Sequence, residues 1–181
     1  MNKRINFYVC YGQRRNKNMK KTIGMLSILC LGMCSQSVMA LCVGCSCSAN
    51  SSSVVFGTYN PIANSQMNAT GNIAVTCRAV LSLLDAPYTI SLSKGNSTLY
   101  SPRKMSNGIG TLDYNLYTLP ERTQIWGDGT GGTSTVSGQI KFLQLLQNVT
   151  VNHTIYGSIP ANQTAVKAGN YSDTVIVTIS Y

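Results

Sequence analysis

Tyr171-Ser172-Asp173-Thr174-Val175-Ile176-Val177-Thr178-Ile179-Ser180-Tyr181 alternates with a two-residue rhythm: odd positions carry Tyr, Asp, Val, Val, Ile and Tyr, and even ones are Ser or Thr apart from Ile176. Side chains of a strand point to opposite faces in turn, so the stretch predicts a β-strand with one buried face. The same alternation runs through Ile73, Val75 and Cys77; Tyr88, Ile90 and Leu92; Leu112, Tyr114 and Leu116; and Val149, Val151 and Ile155. Turn formers separate them at Gly57, Asn60-Pro61, Gly71, Lys94-Gly95-Asn96, Asn107-Gly108, Gly127-Asp128-Gly129, Gly131-Gly132 and Ala168-Gly169-Asn170. Short strands with regular turn punctuation predict an all-β sandwich or barrel. Ala49–Ser53 reads as a polar lead-in, and neither an internal repeat nor an interdomain linker is visible.

The formal charge is +9, from 14 basic and 5 acidic residues among 181. Seven of the basic residues lie in the first 21 positions, and every acid lies from Asp85 onward. After Lys20-Lys21 an apolar run, Thr22 to Cys34, leads to Val38-Met39-Ala40. A positive start, an apolar core too short for the ~20 residues a membrane span needs, and small residues at the end describe a secretory signal peptide cut after Ala40. Met19 is then a candidate true start. The expected division is 1–40 as upstream extension plus leader and 41–181 as one domain, without a stable membrane span. The remaining seven basic residues and five acids leave +2. No basic cluster survives to neutralise consecutive phosphates, so nucleic acid is not an expected partner.

Four cysteines remain: Cys42, Cys45, Cys47 and Cys77. An oxidising compartment favours disulfides over a thiolate metal site, and the spacing of Cys45 and Cys47 is too close for a zinc knuckle. A bridge is expected from the start of the domain to Cys77; Cys42 and Cys45 are either a second, local pair or redundant. Catalytic sets are eliminated in the same way. His153 is the sole histidine and no Gly-x-Ser-x-Gly elbow exists, so a serine hydrolase lacks its parts. Asp85, Asp113, Glu121, Asp128 and Asp173 each sit in a turn or strand pattern with a structural use, against a paired-carboxylate mechanism. The expectation is a non-enzymatic protein with no cofactor and no metal, and a half-buried, satisfied His153.

Several local patterns occur together. They are Cys47 ahead of Phe56-Gly57-x-Tyr59-x-Pro61; Gly71-x-Ile73-x-Val75-x-Cys77; Tyr88-x-Ile90-x-Leu92-x-x-Gly95; Arg103-x-Met105; Leu112-x-Tyr114-x-Leu116-Tyr117; Trp126-Gly127-Asp128-Gly129; Tyr156-Gly157-x-Ile159-Pro160; and Gly169-x-Tyr171-x-Asp173 with the strand that follows. In this order they resemble the spore coat protein U domain family, which includes subunits of archaic, Csu-type chaperone-usher pili. The resemblance covers Cys47 to Tyr181. It implies an immunoglobulin-like sandwich lacking its last strand, with the family's disulfide mapping onto Cys47 and Cys77. It also implies partners: a periplasmic pilus chaperone that lends a strand, an outer-membrane usher, and other pilin subunits whose N-terminal extension replaces the chaperone strand. Such a chain passes through the periplasm to the cell surface, in adhesion or biofilm.

Because the sequence stops just after its most regular strand, Val175, Val177, Ile179 and Tyr181 are the expected wall of the strand-acceptor groove. Two departures accompany the resemblance. Only Leu41 to Ser46 would precede Cys47 after cleavage, too short for a donor strand at ~3.3 Å per residue. The chain is therefore expected either to accept a strand without giving one, as at a fibre terminus, or to be cut earlier. Leu83 and Leu84, with Leu145 and Leu146, are apolar where loops are expected; they either cap the sandwich or form a hydrophobic contact surface. The alternative function is a monomeric, secreted coat-type sandwich that binds a ligand or surface without polymerising.

Overall fold

The computed structural model describes residues 3–12, 46–78, 86–141 and 148–181. The apolar run expected to be a leader, with its expected cleavage point after Ala40, and Cys42, Cys45, Leu83, Leu84, Leu145 and Leu146 lie outside the described residues. Ten strands carry the fold: β1 (Lys3–Gly12), β2 (Ser46–Ser51), β3 (Val54–Gly57), β4 (Met67–Arg78), β5 (Ala86–Leu92), β6 (Arg103–Ser106), β7 (Thr111–Tyr117), β8 (Val136–Ile140), β9 (Asn148–Ile159) and β10 (Tyr171–Ser180). Where the residues alternate between β-branched or aromatic and polar, strands formed as expected. In β10 the buried residues fall on alternate positions from Tyr171 to Ile179.

The strands make two layers. In one, β2 pairs with β4, β4 with β9, and β9 with Asn115–Tyr117 of β7. In the other, β8 pairs with β5 and β5 with the far half of β10, while β6 meets β10 at Ser172. β7 belongs to both, because its first residues, Thr111 to Tyr114, pair with β6. A strand that changes layer makes the corner of a sandwich. Between the layers Ile73, Val75, Ile155, Ile90, Leu92, Val175, Val177, Ile179 and Trp126 are buried in one apolar cluster.

Two readings of the sequence are corrected. Ala49–Ser53 is not a lead-in: β2 runs to Ser51, with Cys47 and Ala49 facing the core and Ser48 and Asn50 facing out. Gly71 is not a turn but the middle of β4, where a Cβ would lie 2.8 Å from Val54 Cγ2. Gly157 in β9 has the same use, since a Cβ there would meet Phe56 Cζ at 2.7 Å. The two glycines let β3 lie close across β4 and β9. The disulfide joins Cys47 to Cys77, which face each other across β2 and β4 with Cα atoms 4.0 Å apart.

The largest difference concerns β1. Among the described residues from 46 to 181 no strand lies between β3 and β10, as the resemblance implied, but the gap is not open. Residues 3–12, which the sequence reading set apart as an extension ahead of the leader, fill it. β1 runs parallel to β10 from Lys3 opposite Tyr171 to Gly12 opposite Ser180, and antiparallel to β3. Ile5 is fully buried in the core and Phe7 packs against it.

Candidate functional site

The gap that β1 fills is the feature most open to function. On its far side β10 is held by β5 and β6; on its near side its whole length pairs with β1. Among the described residues, β3 pairs with β1 alone. Without β1, two backbone edges would face each other across the space of one strand, with core side chains at the bottom. Val175, Val177 and Ile179 form that floor, each fully buried. Tyr181 lies beyond the last paired residue and is half-buried. It packs against the core cluster and lines a cavity of about 570 Å³ with Tyr88, Thr89, Asp128, Thr135 and Ser137. The first three expected residues are thus one surface, and Tyr181 belongs to a neighbouring one.

Behind the groove lies a buried polar network that the sequence reading did not foresee. Asp173, 1% exposed, takes its place among the inward residues of β10. Its Oδ2 accepts from the Tyr114 hydroxyl at 2.6 Å, and its Oδ1 from the backbone N–H of Asn96 at 2.9 Å and of Thr174 at 2.7 Å. Burial raises the carboxyl's pKa against the pull of these donors and of the nearby Arg103, and lifts the Tyr114 phenol well above its ordinary value. Gly95 permits the turn: its φ is +67°, and a Cβ would strike the Asp173 carboxylate.

Arg103 is fully buried too. Its Nε and Nη2 donate to the Ser93 carbonyl at 3.1 and 3.0 Å, Nη1 to Asn115 Oδ1 at 2.9 Å, and Nη2 to the Trp126 carbonyl at 2.6 Å. Trp126, fully buried, donates its indole N–H to the Ile90 carbonyl at 3.1 Å. The motif elements Arg103, Trp126 and Asp173 are therefore packing parts of one sandwich, joining β5, the corner in β7, and β10. A guanidinium suits this place because its planar fork reaches three acceptors at once.

His153, Asp113 and Asp128 also have local partners. His153 is half-buried with its Nε2 2.7 Å from the Tyr88 hydroxyl, and burial lowers its pKa. Asp113 pairs with Lys104 at 2.6 Å on the surface. Asp128 accepts from Thr130 N–H and hydroxyl in its glycine turn.

Comparison with known proteins agrees with this architecture. The model of the spore coat protein U domain family matches residues 34–178. Protein U of Myxococcus xanthus is 34% identical over 154 residues, covering 77% of this chain and 79% of the relative. Among solved structures, a chain of the CsuC–CsuE chaperone–tip adhesion subunit pre-assembly complex, from the archaic chaperone-usher Csu pili of Acinetobacter baumannii, superposes with a TM-score of 0.52 at 22% identity. That match covers 77% of this chain and 40% of the other, and it bears on the fold. With the two-layer strand order, the cross-strand disulfide and the family match all in agreement, the chain belongs to the spore coat protein U domain family.

Proposed function

We propose that this chain is an exported, non-enzymatic structural or adhesive subunit of a bacterial surface pilus, assembled by donor-strand complementation. The observation that carries the reading is the one-strand gap between β3 and β10, floored by Val175, Val177 and Ile179. An edge of that length draws affinity from main-chain hydrogen bonds and selectivity from alternate side chains. A leader cut after Ala40 removes residues 1–40, including β1, and leaves the domain from 41 to 181 with the gap open. A periplasmic chaperone then fills the gap, the outer-membrane usher receives the complex, and a neighbouring subunit replaces the chaperone strand. The short stretch from Leu41 to Ser46 donates no strand, which fits a terminal position in the fibre. In this reading Leu83, Leu84, Leu145 and Leu146 serve as contact loops.

A second reading draws on β1 itself. If residues 3–12 stay with the domain, the sandwich is complete and the protein is a monomeric, coat-type binder that does not polymerise. Export of the full chain from a bacterial host, with and without a co-expressed archaic pilus chaperone, separates the two. A mature mass beginning at Leu41 and a one-to-one chaperone complex support the pilus subunit. A stable chaperone-free monomer retaining residues 3–12 overturns it and favours the coat-type reading.

A further inference from the structure

The Tyr171 end of the gap holds a buried cation that strand pairing does not require. Lys3 is 4% exposed, and its Nζ sits 4.5 Å from the centroid of the Tyr171 ring. The same Nζ donates to the Gly169 carbonyl at 2.5 Å. The one ion pair among the described residues, Lys104 with Asp113, is elsewhere. An ammonium taken out of water without a carboxylate is unfavourable unless something replaces its hydration. Here an aromatic face and a carbonyl do so. Burial accordingly lowers the Lys3 pKa.

Both groups that receive the ammonium belong to the acceptor side. Tyr171 is 1% exposed, and its hydroxyl donates to the Lys167 carbonyl at 2.9 Å, so the ring is fixed from behind. Gly169 lies two residues earlier, in the loop that leads into β10, packed against Asn107. The ring face and the carbonyl are therefore built without help from β1. Further along, Ile5 stands opposite Asp173 and Phe7 opposite Val175. Asp173 is already committed to Tyr114, Asn96 and Thr174, and it is an unfavourable neighbour for an acid on an incoming strand.

We propose that the Tyr171–Gly169 end of the gap is a recognition site for a side-chain ammonium or guanidinium on the strand that the gap accepts from a partner protein. That strand runs parallel to β10 and reads basic, any residue, aliphatic, any residue, aromatic, beginning opposite Tyr171. Residues 3–12 display the pattern with Lys3, Ile5 and Phe7. The inference rests on the strand-accepting reading above.

The test uses the full chain carrying Ile5→Asp and Phe7→Asp, which dislodges its own strand, titrated with fluorescent peptides of residues 2–12 made with Cys10→Ser. Peptides with Lys or Arg at position 3 bind; Lys3→Met weakens binding about tenfold, and Lys3→Glu a hundredfold or more. Equal binding by the Lys and Met peptides overturns the cation site and leaves the strand-accepting gap standing. No binding by any peptide overturns both. Should the double variant not fold, single variants of the otherwise unchanged chain decide. Lys3→Met lowers amide-exchange protection along residues 172–180 about tenfold and Lys3→Arg preserves it; equal protection in the two overturns the proposal.

Discussion

Replacing Arg103 with Met is the sharpest test of how the sandwich is held together. Methionine fills most of the volume but donates nothing. The Ser93 and Trp126 carbonyls lose their guanidinium donors, while Asn115 Oδ1 still accepts from Leu116 N–H at 3.1 Å. One buried and one partly buried carbonyl, at about 1–3 kcal/mol each, give an upper range of roughly 2–6 kcal/mol. Relief from burying a charge offsets part of that, since burial already lowers the Arg103 pKa. The net expectation is about 3–4 kcal/mol, in line with the loss seen when one partner of a buried charged network is removed. For a domain of this size each kcal/mol moves the midpoint by about 2–4 °C, so Tm falls by roughly 6–16 °C. Near-ultraviolet circular dichroism reports it directly, because the lone Trp126 lies inside the network. Arg103→Lys, with one compact donor group in place of a fork, falls between. Lys104→Met, which breaks the exposed pair with Asp113, serves as control at under about 1 kcal/mol. An Arg103→Met midpoint within about 2 °C of the unmodified protein would refute the network's structural role.

Three further outcomes follow from the same structure. Cys47→Ser with Cys77→Ser opens a link 30 residues apart in sequence; loop-closure entropy puts the loss near 3.7 kcal/mol, read as a lower urea midpoint under non-reducing conditions, and an unchanged midpoint counts against it. His153 has a lowered folded pKa, so the unfolded chain binds a proton first as pH falls below the ordinary histidine value. Stability therefore declines below about pH 6.5, and His153→Gln flattens that limb of the pH–stability curve; a limb that persists in the variant refutes the assignment to the sole histidine. Gly157→Ala drives a methyl to 2.7 Å from Phe56 Cζ and is expected to destabilise by about 1–3 kcal/mol in chemical denaturation, with β3 amides losing exchange protection first.

How much of this was legible depends on what each strand buries. β4, β5, β7, β9 and β10 place large apolar residues on alternate positions, so their period speaks for itself. β2 buries only Cys47 and Ala49, whose small side chains give a faint signal beside Ser and Asn. β8 has Gly138 in its centre, where the Tyr88 ring occupies the space of a side chain; that pairing makes sense only once β5 is known to be the neighbour. Arg103 stood out as part of a motif, yet nothing in its surroundings marks it as buried. Its acceptors come from Ser93, Asn115 and Trp126, which only the fold brings together. For β1 the signal is present in the alternation of Ile5, Phe7, Val9 and Tyr11, but its place ahead of an apolar run with the pattern expected of a leader sets it apart from the domain.

Edge protection sets β10 apart from the strands that end the sheets. Strands that end a sheet are normally guarded by short length, lysine, proline or a bulge. Two terminal strands of this sandwich follow that rule, since β3 has four residues and β8 has five with a central glycine. β10 has none of these, and its one inward charge, Asp173, is already taken up within the domain by Tyr114, Asn96 and Thr174. Its ten residues hold neither lysine nor proline, and it pairs with β1 throughout without a register shift. Its outward residues are Ser172, Thr174, Ile176, Thr178 and Ser180, with Ile176 42% exposed. A strand composed this way is suited to the middle of a sheet and prone to aggregate at its edge. The composition of β10 thus favours a neighbour along its whole length, the place that residues 3–12 occupy.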